Sequence, residues 1–121
     1  MSKSVLKDYS FKFAIAIVKL YRNLTEVKKE YILSKQLLKC GTAVGAMIRE
    51  AQNAESRNDF IHKLAIAQKE CDETMYWLEL LQESNCLESD EFSKIHEAAN
   101  SILKMLRSAI LTTKQKTTHN L

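Results

Sequence analysis

The sequence predicts an all-α fold, an antiparallel up-down-up-down four-helix bundle. Among 121 residues there is no proline and there are only two glycines, so few residues interrupt helices. Apolar residues recur every three or four positions in four segments, which is the helical period, and no segment alternates strictly as a strand does. Short polar clusters separate the four segments, and short links favour antiparallel neighbours.

The first helix is predicted over residues 8–24. The residues expected to face the core form one stripe at helical spacing: Phe11, Ala14, Ile15, Val18 and Tyr21. Four further apolar residues lie partly off that stripe: Phe13, Ile17, Leu20 and Leu24. One bundle needs less apolar surface than these two sets provide together. The surplus predicts that the protein self-associates.

The other three predicted helices are separated by polar clusters and cover residues 31–54, 58–83 and 90–111. Ser56 or Asn58 is the expected N-cap of the third helix, because short polar side chains accept hydrogen bonds from free N–H groups there. The bundle is predicted to span residues 1–113. Residues 114–121 have lost the apolar period and are predicted to form a frayed basic tail.

Both glycines of the chain, Gly41 and Gly45, lie on one face of the second predicted helix, four positions apart. A glycine inside a helix costs about 1 kcal/mol relative to alanine, so the pair needs a compensating role. Two interpretations fit the sequence. The glycines allow close packing, within the subunit or between subunits, or they allow the helix to bend.

The sequence also indicates in which cellular compartment the protein is expected. No stretch approaches the roughly eighteen uninterrupted apolar residues of a membrane helix, and the N-terminus lacks the apolar core of a signal peptide. We therefore expect a cytoplasmic protein without membrane contact.

The chain has three cysteines, Cys40, Cys71 and Cys86. Their number is odd and no pair has CxxC spacing, so we expect small buried apolar side chains rather than disulfides or a zinc site.

No catalytic constellation emerges from the residues. A ferritin-like dimetal site needs two Glu-x-x-His pairs, and no histidine here has a glutamate three positions earlier. His62 and His96 are expected at the surface or at its boundary. Glu70 and Glu73 share a helix face, but no nucleophile or second base accompanies them in the pattern. We predict no enzymatic activity, no metal and no cofactor.

The distribution of charged and aromatic residues indicates that the protein binds a partner rather than catalyses a reaction. Residues 1–29 carry seven basic and two acidic side chains, whereas residues 55–88 carry three basic and eight acidic ones, so the molecule is expected to be electrostatically polar. Tyr76 and Trp77 are adjacent and point about 100° apart on a helix. One of them is therefore expected at a second interface. No pattern of interleaved aromatic and basic residues appears along the chain.

Four motifs make the middle of the chain familiar: S-K-Q-L-L, G-T-x-x-G-A, S-x-x-D-F-I-x-K-L and K-E-x-x-E-T-x-Y-W-L. Together they resemble the bacterial four-helix-bundle proteins encoded in intervening sequences of 23S rRNA genes, over about residues 8–112. The resemblance implies an antiparallel bundle, homopentamers and no catalytic residues. It extends to accessory proteins of diversity-generating retroelements, basic pentamers associated with nucleic acid and a reverse transcriptase. Met47 departs from the family, which usually has a polar Asn there.

Two functional hypotheses follow. The first is a homo-oligomer that binds RNA or DNA through cations of the first two helices: Lys12, Lys19, Arg22, Lys28, Lys29, Lys35, Lys39 and Arg49. The alternative is a scaffold or accessory subunit that binds a protein partner and no nucleic acid. The residues expected in helix packing or oligomer contacts are Gly41, Gly45, Tyr76 and Trp77.

Overall fold

A computed structural model describes residues 3–119, with side chains described for residues 5–116. Four helices account for most of the chain: α1 Lys3–Glu26, α2 Leu33–Gln52, α3 Arg57–Glu83 and α4 Ser89–His119. Among the described residues, α1 packs on α2 and α4, α3 packs on the same two helices, and the diagonal pairs do not meet. The prediction of an all-α up-down bundle is confirmed.

The helix bounds differ from the predicted ones mainly at the two ends of the chain. The first helix begins at Lys3 rather than near residue 8, and the fourth continues to His119 rather than ending near residue 111. The apolar period stops where α4 loses contact with the core, but no proline or glycine follows to end the helix. Of the predicted frayed tail, residues 114–119 are therefore helical, and residues 120–121 lie outside the described residues.

The core contains the α1 residues that were predicted to lie partly off the main stripe, and the predicted main stripe is the more exposed one. Phe13 and Ile17 are buried at 3% and 0% exposure, whereas Phe11 and Ile15 are exposed at 54% and 42%. Helix α1 carries two apolar stripes of helical period, and periodicity alone does not show which one faces inward. The buried stripe is the longer, and it extends from Leu6 to Leu24. The other stripe stays at the surface.

The two glycines bring α2 close to α1. A Cβ atom on Gly41 would lie 2.9 Å from both Cγ1 and Cγ2 of Ile17, and one on Gly45 would lie 3.3 Å from the carbonyl oxygen of Ser10. Carbon atoms in favourable contact lie about 3.5–4.0 Å apart, so the space beside Gly41 is too small for a methyl group. Of the two interpretations, the structure shows close packing within the subunit.

The link between α1 and α2 is fixed by Glu30. Its carboxylate accepts hydrogen bonds from the backbone N–H groups of Ile32, Leu33 and Ser34 at 3.2, 3.0 and 2.7 Å. The buried Ser34 hydroxyl donates to the Glu30 carbonyl oxygen at 2.7 Å. Burial acts to raise the pKa of the Glu30 carboxyl, but these backbone donors outweigh it and the pKa is lowered. Glu30 thus satisfies the first free N–H groups of α2.

The N-terminus of α3 is closed as the sequence predicts. The Ser56 hydroxyl accepts a hydrogen bond from the backbone N–H of Asp59 at 3.0 Å. The Asp59 carboxylate in turn accepts a hydrogen bond from the backbone N–H of Glu55, in the preceding turn, at 3.1 Å. Of the two candidate caps, Ser56 is therefore the one used.

Gly41→Ala should destabilise the fold although alanine is the better helix former. The alanine gains about 1 kcal/mol of helix propensity, but overpacking against the branched Ile17 side chain costs about 1–3 kcal/mol. We expect a net loss of about 1 kcal/mol in the free energy of unfolding, measured by urea denaturation. In an Ile17→Ala background the clash is gone, so the same Gly41→Ala change should stabilise. An equal effect in both backgrounds would contradict this packing.

Glu30→Gln should lower the free energy of unfolding at neutral pH by about 1 kcal/mol, the usual worth of a helix cap. Because the folded pKa of Glu30 lies below its unfolded value of about 4.3, its contribution is present above that pH and is lost as the pH falls through the folded pKa. The two proteins should therefore converge in stability as the pH falls through the lowered folded pKa of Glu30. Glu26→Gln, at the exposed end of α1, is the control that should change little at any pH.

Candidate nucleic-acid interface

The eight cations predicted to contact nucleic acid are all exposed. Within the described part of the chain, none of them forms an ion pair with a carboxylate. Glu50 instead pairs with Lys63, and Glu79 lies 2.8 Å from His96 Nε2. These positive charges are therefore not neutralised by neighbouring carboxylates. They remain available to an anionic partner.

The structure divides these eight cations among separate surfaces. Lys12 and Lys19, seven positions apart, share one side of α1. Lys28 and Lys29 lie in the link before α2, where Lys29 has a left-handed backbone with φ of 59°. Only the remaining four lie on the surface that α1 and α2 present together: Arg22, Lys35, Lys39 and Arg49.

This α1–α2 face is centred on a groove of about 370 Å³ between the two helices. Its lining includes Lys7, Phe11 and Ala14 from α1 and Thr42, Ala46, Arg49 and Glu50 from α2. The Glu50 carboxylate pairs with Lys63 at 3.1 Å. The face extends along both helices by their 3–4 residue spacing. Ile15, Val18 and Arg22 continue the Phe11 side, and Lys39 and Lys35 continue the Thr42 side.

The groove brings together an aromatic ring and a cation that are far apart in sequence. The guanidinium carbon of Arg49 lies 5.8 Å from the centre of the Phe11 ring, over its face. That distance is within the range of a cation–π contact. The sequence showed no aromatic and basic residues in alternation, because this pair forms only when α1 packs on α2. Phe11 is thus a functional candidate that sequence reasoning missed.

The acidic surface lies across the bundle, since α1 and α3 form a diagonal pair. Helix α3 contains six acidic and three basic residues. Trp77 packs against the core, and its Nε1–H donates to the Glu73 carboxylate at 3.1 Å. Tyr76 is exposed at 56% and lies edge-on to the Trp77 ring, with centroids 5.0 Å apart. Tyr76 is therefore the one of the pair that faces outward.

The side chains of His96, Cys40 and Cys71, which could take part in catalysis or metal binding, are instead held in structural contacts or buried. His96 Nε2 lies 2.8 Å from a Glu79 carboxylate oxygen and its ring stacks on Phe92, so it joins α4 to α3. Cys40 and Cys71 are buried, and desolvation raises their thiol pKa values to about 11 and about 12. Thiols this weakly acidic supply almost no thiolate near neutral pH.

Residues that could hold a metal do not cluster within the described region, where no group of three or more His, Cys, Asp or Glu side chains converges. The described helices also include none long and apolar enough to cross a membrane. Met47, at the position where the family resemblance implies an Asn, packs against the core. In this chain that position therefore makes an apolar contact.

Comparison with known proteins shows similarity to one protein family and to a solved structure. A family model described as 23S rRNA-intervening sequence protein matches residues 3–108. A crystal structure from Bacteroides thetaiotaomicron VPI-5482, of a protein with unknown function from the S23 ribosomal protein family, is 47% identical. The match covers 91% of this chain and 98% of that one, with a TM-score of 0.89. No curated protein matches the chain.

Proposed function

The chain belongs to the 23S rRNA-intervening sequence protein family, and we propose that it is a non-enzymatic cytoplasmic protein that binds RNA or DNA through its α1–α2 face. The observation that carries this proposal is the exposed Phe11 ring beneath Arg49, in a groove flanked by cations without carboxylate partners. Phosphates are bound by such cations. The ring adds a surface on which a base can stack.

This combination favours unpaired nucleotides. A base within a duplex is already stacked on its neighbours, whereas a base in a loop or single strand can stack on an aromatic side chain. Arg49 lies within reach of the same ring, so it can bind a phosphate or stack beside the base. Lys39 and Arg22 would then follow the backbone of the bound strand along α2 and α1. Lys12 and Lys19, on another side of α1, would contribute less.

Phe11→Ala and Arg49→Ala should each weaken binding of a fluorescently labelled single-stranded RNA about tenfold, since stacking contributes about 1–3 kcal/mol per base. Binding of the unaltered protein should fall steeply as salt rises, because each neutralised phosphate releases counterions. Lys94→Ala, an exposed cation on α4, is the matched control and should change affinity less than about twofold. Fluorescence anisotropy across a salt series measures the affinity of the unaltered protein and of the three variants.

The proposal fails if neither single-stranded RNA, stem-loop RNA nor duplex DNA binds at low salt to folded protein. It also fails if Lys94→Ala weakens binding as much as Arg49→Ala does. In that case general charge, rather than the α1–α2 face, would account for the affinity. A preference for duplex DNA would contradict the assignment to unpaired nucleotides.

The same face supports a second candidate function, a homo-oligomeric scaffold for protein partners. Phe11 and Ile15 leave apolar surface exposed beside cations, and the opposite side of the bundle has exposed Tyr76 among carboxylates. Two unlike patches of complementary charge on opposite sides of one molecule favour head-to-tail contacts, which close into rings. Homopentamers implied by the family resemblance are assemblies of that kind. The two uses of Phe11 exclude each other, because a ring covered by a second copy cannot stack on a base.

Ile15→Asp and Tyr76→Asp should each reduce the assembly to single chains if the two patches meet, since each change places a charge in an apolar contact. Leu111→Asp is the control, because Leu111 is an apolar residue on α4 that is at least as exposed as Tyr76 and Ile15. Light scattering measures the mass, and circular dichroism shows that the variants fold. A single-chain mass for the unaltered protein, or an unchanged mass for Ile15→Asp, would exclude this interface.

A further inference from the structure

A cavity of about 150 Å³ lies at the end of the bundle where α1 and α3 begin. It is separate from the α1–α2 groove, and the two have no lining residue in common. All four helices contribute apolar side chains to its wall: Leu6, Ile48, Phe60, Leu64, Met105 and Ala109. Leu6, Ile48 and Leu64 are buried and Phe60 is half-buried. Ser108 and Thr112 of α4 also line the cavity, so its inner wall is mainly, not wholly, apolar.

The mouth of this cavity is polar and positively charged. Gln52, Thr113 and Lys116 lie along it, and a second depression continues from these residues to Arg57 at the start of α3. No carboxylate is among the described residues that line either space. Asp59, the nearby acid in the first turn of α3, accepts a hydrogen bond from the Glu55 N–H. Two cations therefore face the outer part of a space whose inner part is mainly apolar.

The volume limits what can enter. An apolar protein cavity of about 150 Å³ accommodates a benzene molecule, so one ring or a chain of about six carbons fits. Small-molecule sites commonly combine apolar walls with a few polar groups that orient the ligand. We propose that this cavity binds a small amphipathic carboxylate, with its apolar part against Ile48 and Leu64. Its carboxylate lies at the mouth, beside Arg57 and Lys116.

Hexanoate and benzoate are the probes for this site, with 1-hexanol and benzyl alcohol as uncharged counterparts. Each probe, titrated into the methyl-labelled full chain, should shift the NMR signals of Ile48 and Leu64 saturably. The Ile17 methyl signals, which belong to the α1–α2 contact, should remain unchanged and serve as the internal control. Absence of a saturable shift at Ile48 and Leu64 for every probe would overturn the proposal.

Two variants separate the cavity from its mouth. Arg57→Ala combined with Lys116→Ala should weaken hexanoate binding about fivefold, as expected for two exposed charge contacts, and should leave 1-hexanol binding unchanged. Lys104→Ala, an exposed cation on α4 outside both spaces, should leave both unchanged. Ala109→Leu fills the cavity and should abolish binding of both probes in folded protein.

Each contrary result has a defined meaning. Equal loss of hexanoate and 1-hexanol in the double variant would overturn the assignment of the carboxylate to Arg57 and Lys116. Retained binding in folded Ala109→Leu would place the probes elsewhere and overturn the site. If that variant does not fold, the Ile48 and Leu64 signals of the unaltered protein still decide the question. None of these readouts depends on nucleic-acid binding.

Discussion

The contact between Gly41 and Ile17 determines how α1 sits on the rest of the bundle. Ile17 is fully buried, and its Cγ1 and Cγ2 atoms occupy the space that any other residue at position 41 would fill with a Cβ atom. A helix whose central buried side chain fits one gap cannot rotate about its axis without losing that fit. The rotation fixed here turns Phe13 inward and Phe11 outward. The exposed ring and its contact with Arg49 therefore follow from a missing methyl group on α2.

The same constraint explains why the chain retains two helix-destabilising residues and an exposed apolar stripe. Two interior glycines cost roughly 2 kcal/mol in helix propensity, and close packing of two helices offsets such a cost through dispersion contacts. Core packing needs only one of the two stripes on α1. The second, with Phe11 and Ile15, stays exposed, and this exposed apolar surface supports both proposed uses of the α1–α2 face.

The sequence predicts the fold well because helical period, the scarcity of glycine and proline, and the polar links all specify the same architecture. The Ser56 cap was predictable for the same reason, since it depends on residues three positions apart. The orientation of α1 was not, because two stripes of equal period compete and the deciding contact is with Gly41 on another helix. Likewise, the Phe11–Arg49 pair brings together residues of two helices, and the end cavity brings together residues of four. Neither can be predicted from a pattern of residues that are close in sequence.

The unequal contacts of α1 with its two neighbours determine how far the α1–α2 face and the end cavity depend on each other. Helix α1 packs extensively on α2, whereas its contact with α4 is the least extensive between neighbouring helices. The α1–α2 face therefore depends on one helix pair, and a change within that pair can alter the face while α2, α3 and α4 keep their mutual packing. The end cavity is mostly lined by those three helices, and among the described side chains of α1 Leu6 alone lines it. Loss of one site thus need not entail loss of the other, because different contacts hold them.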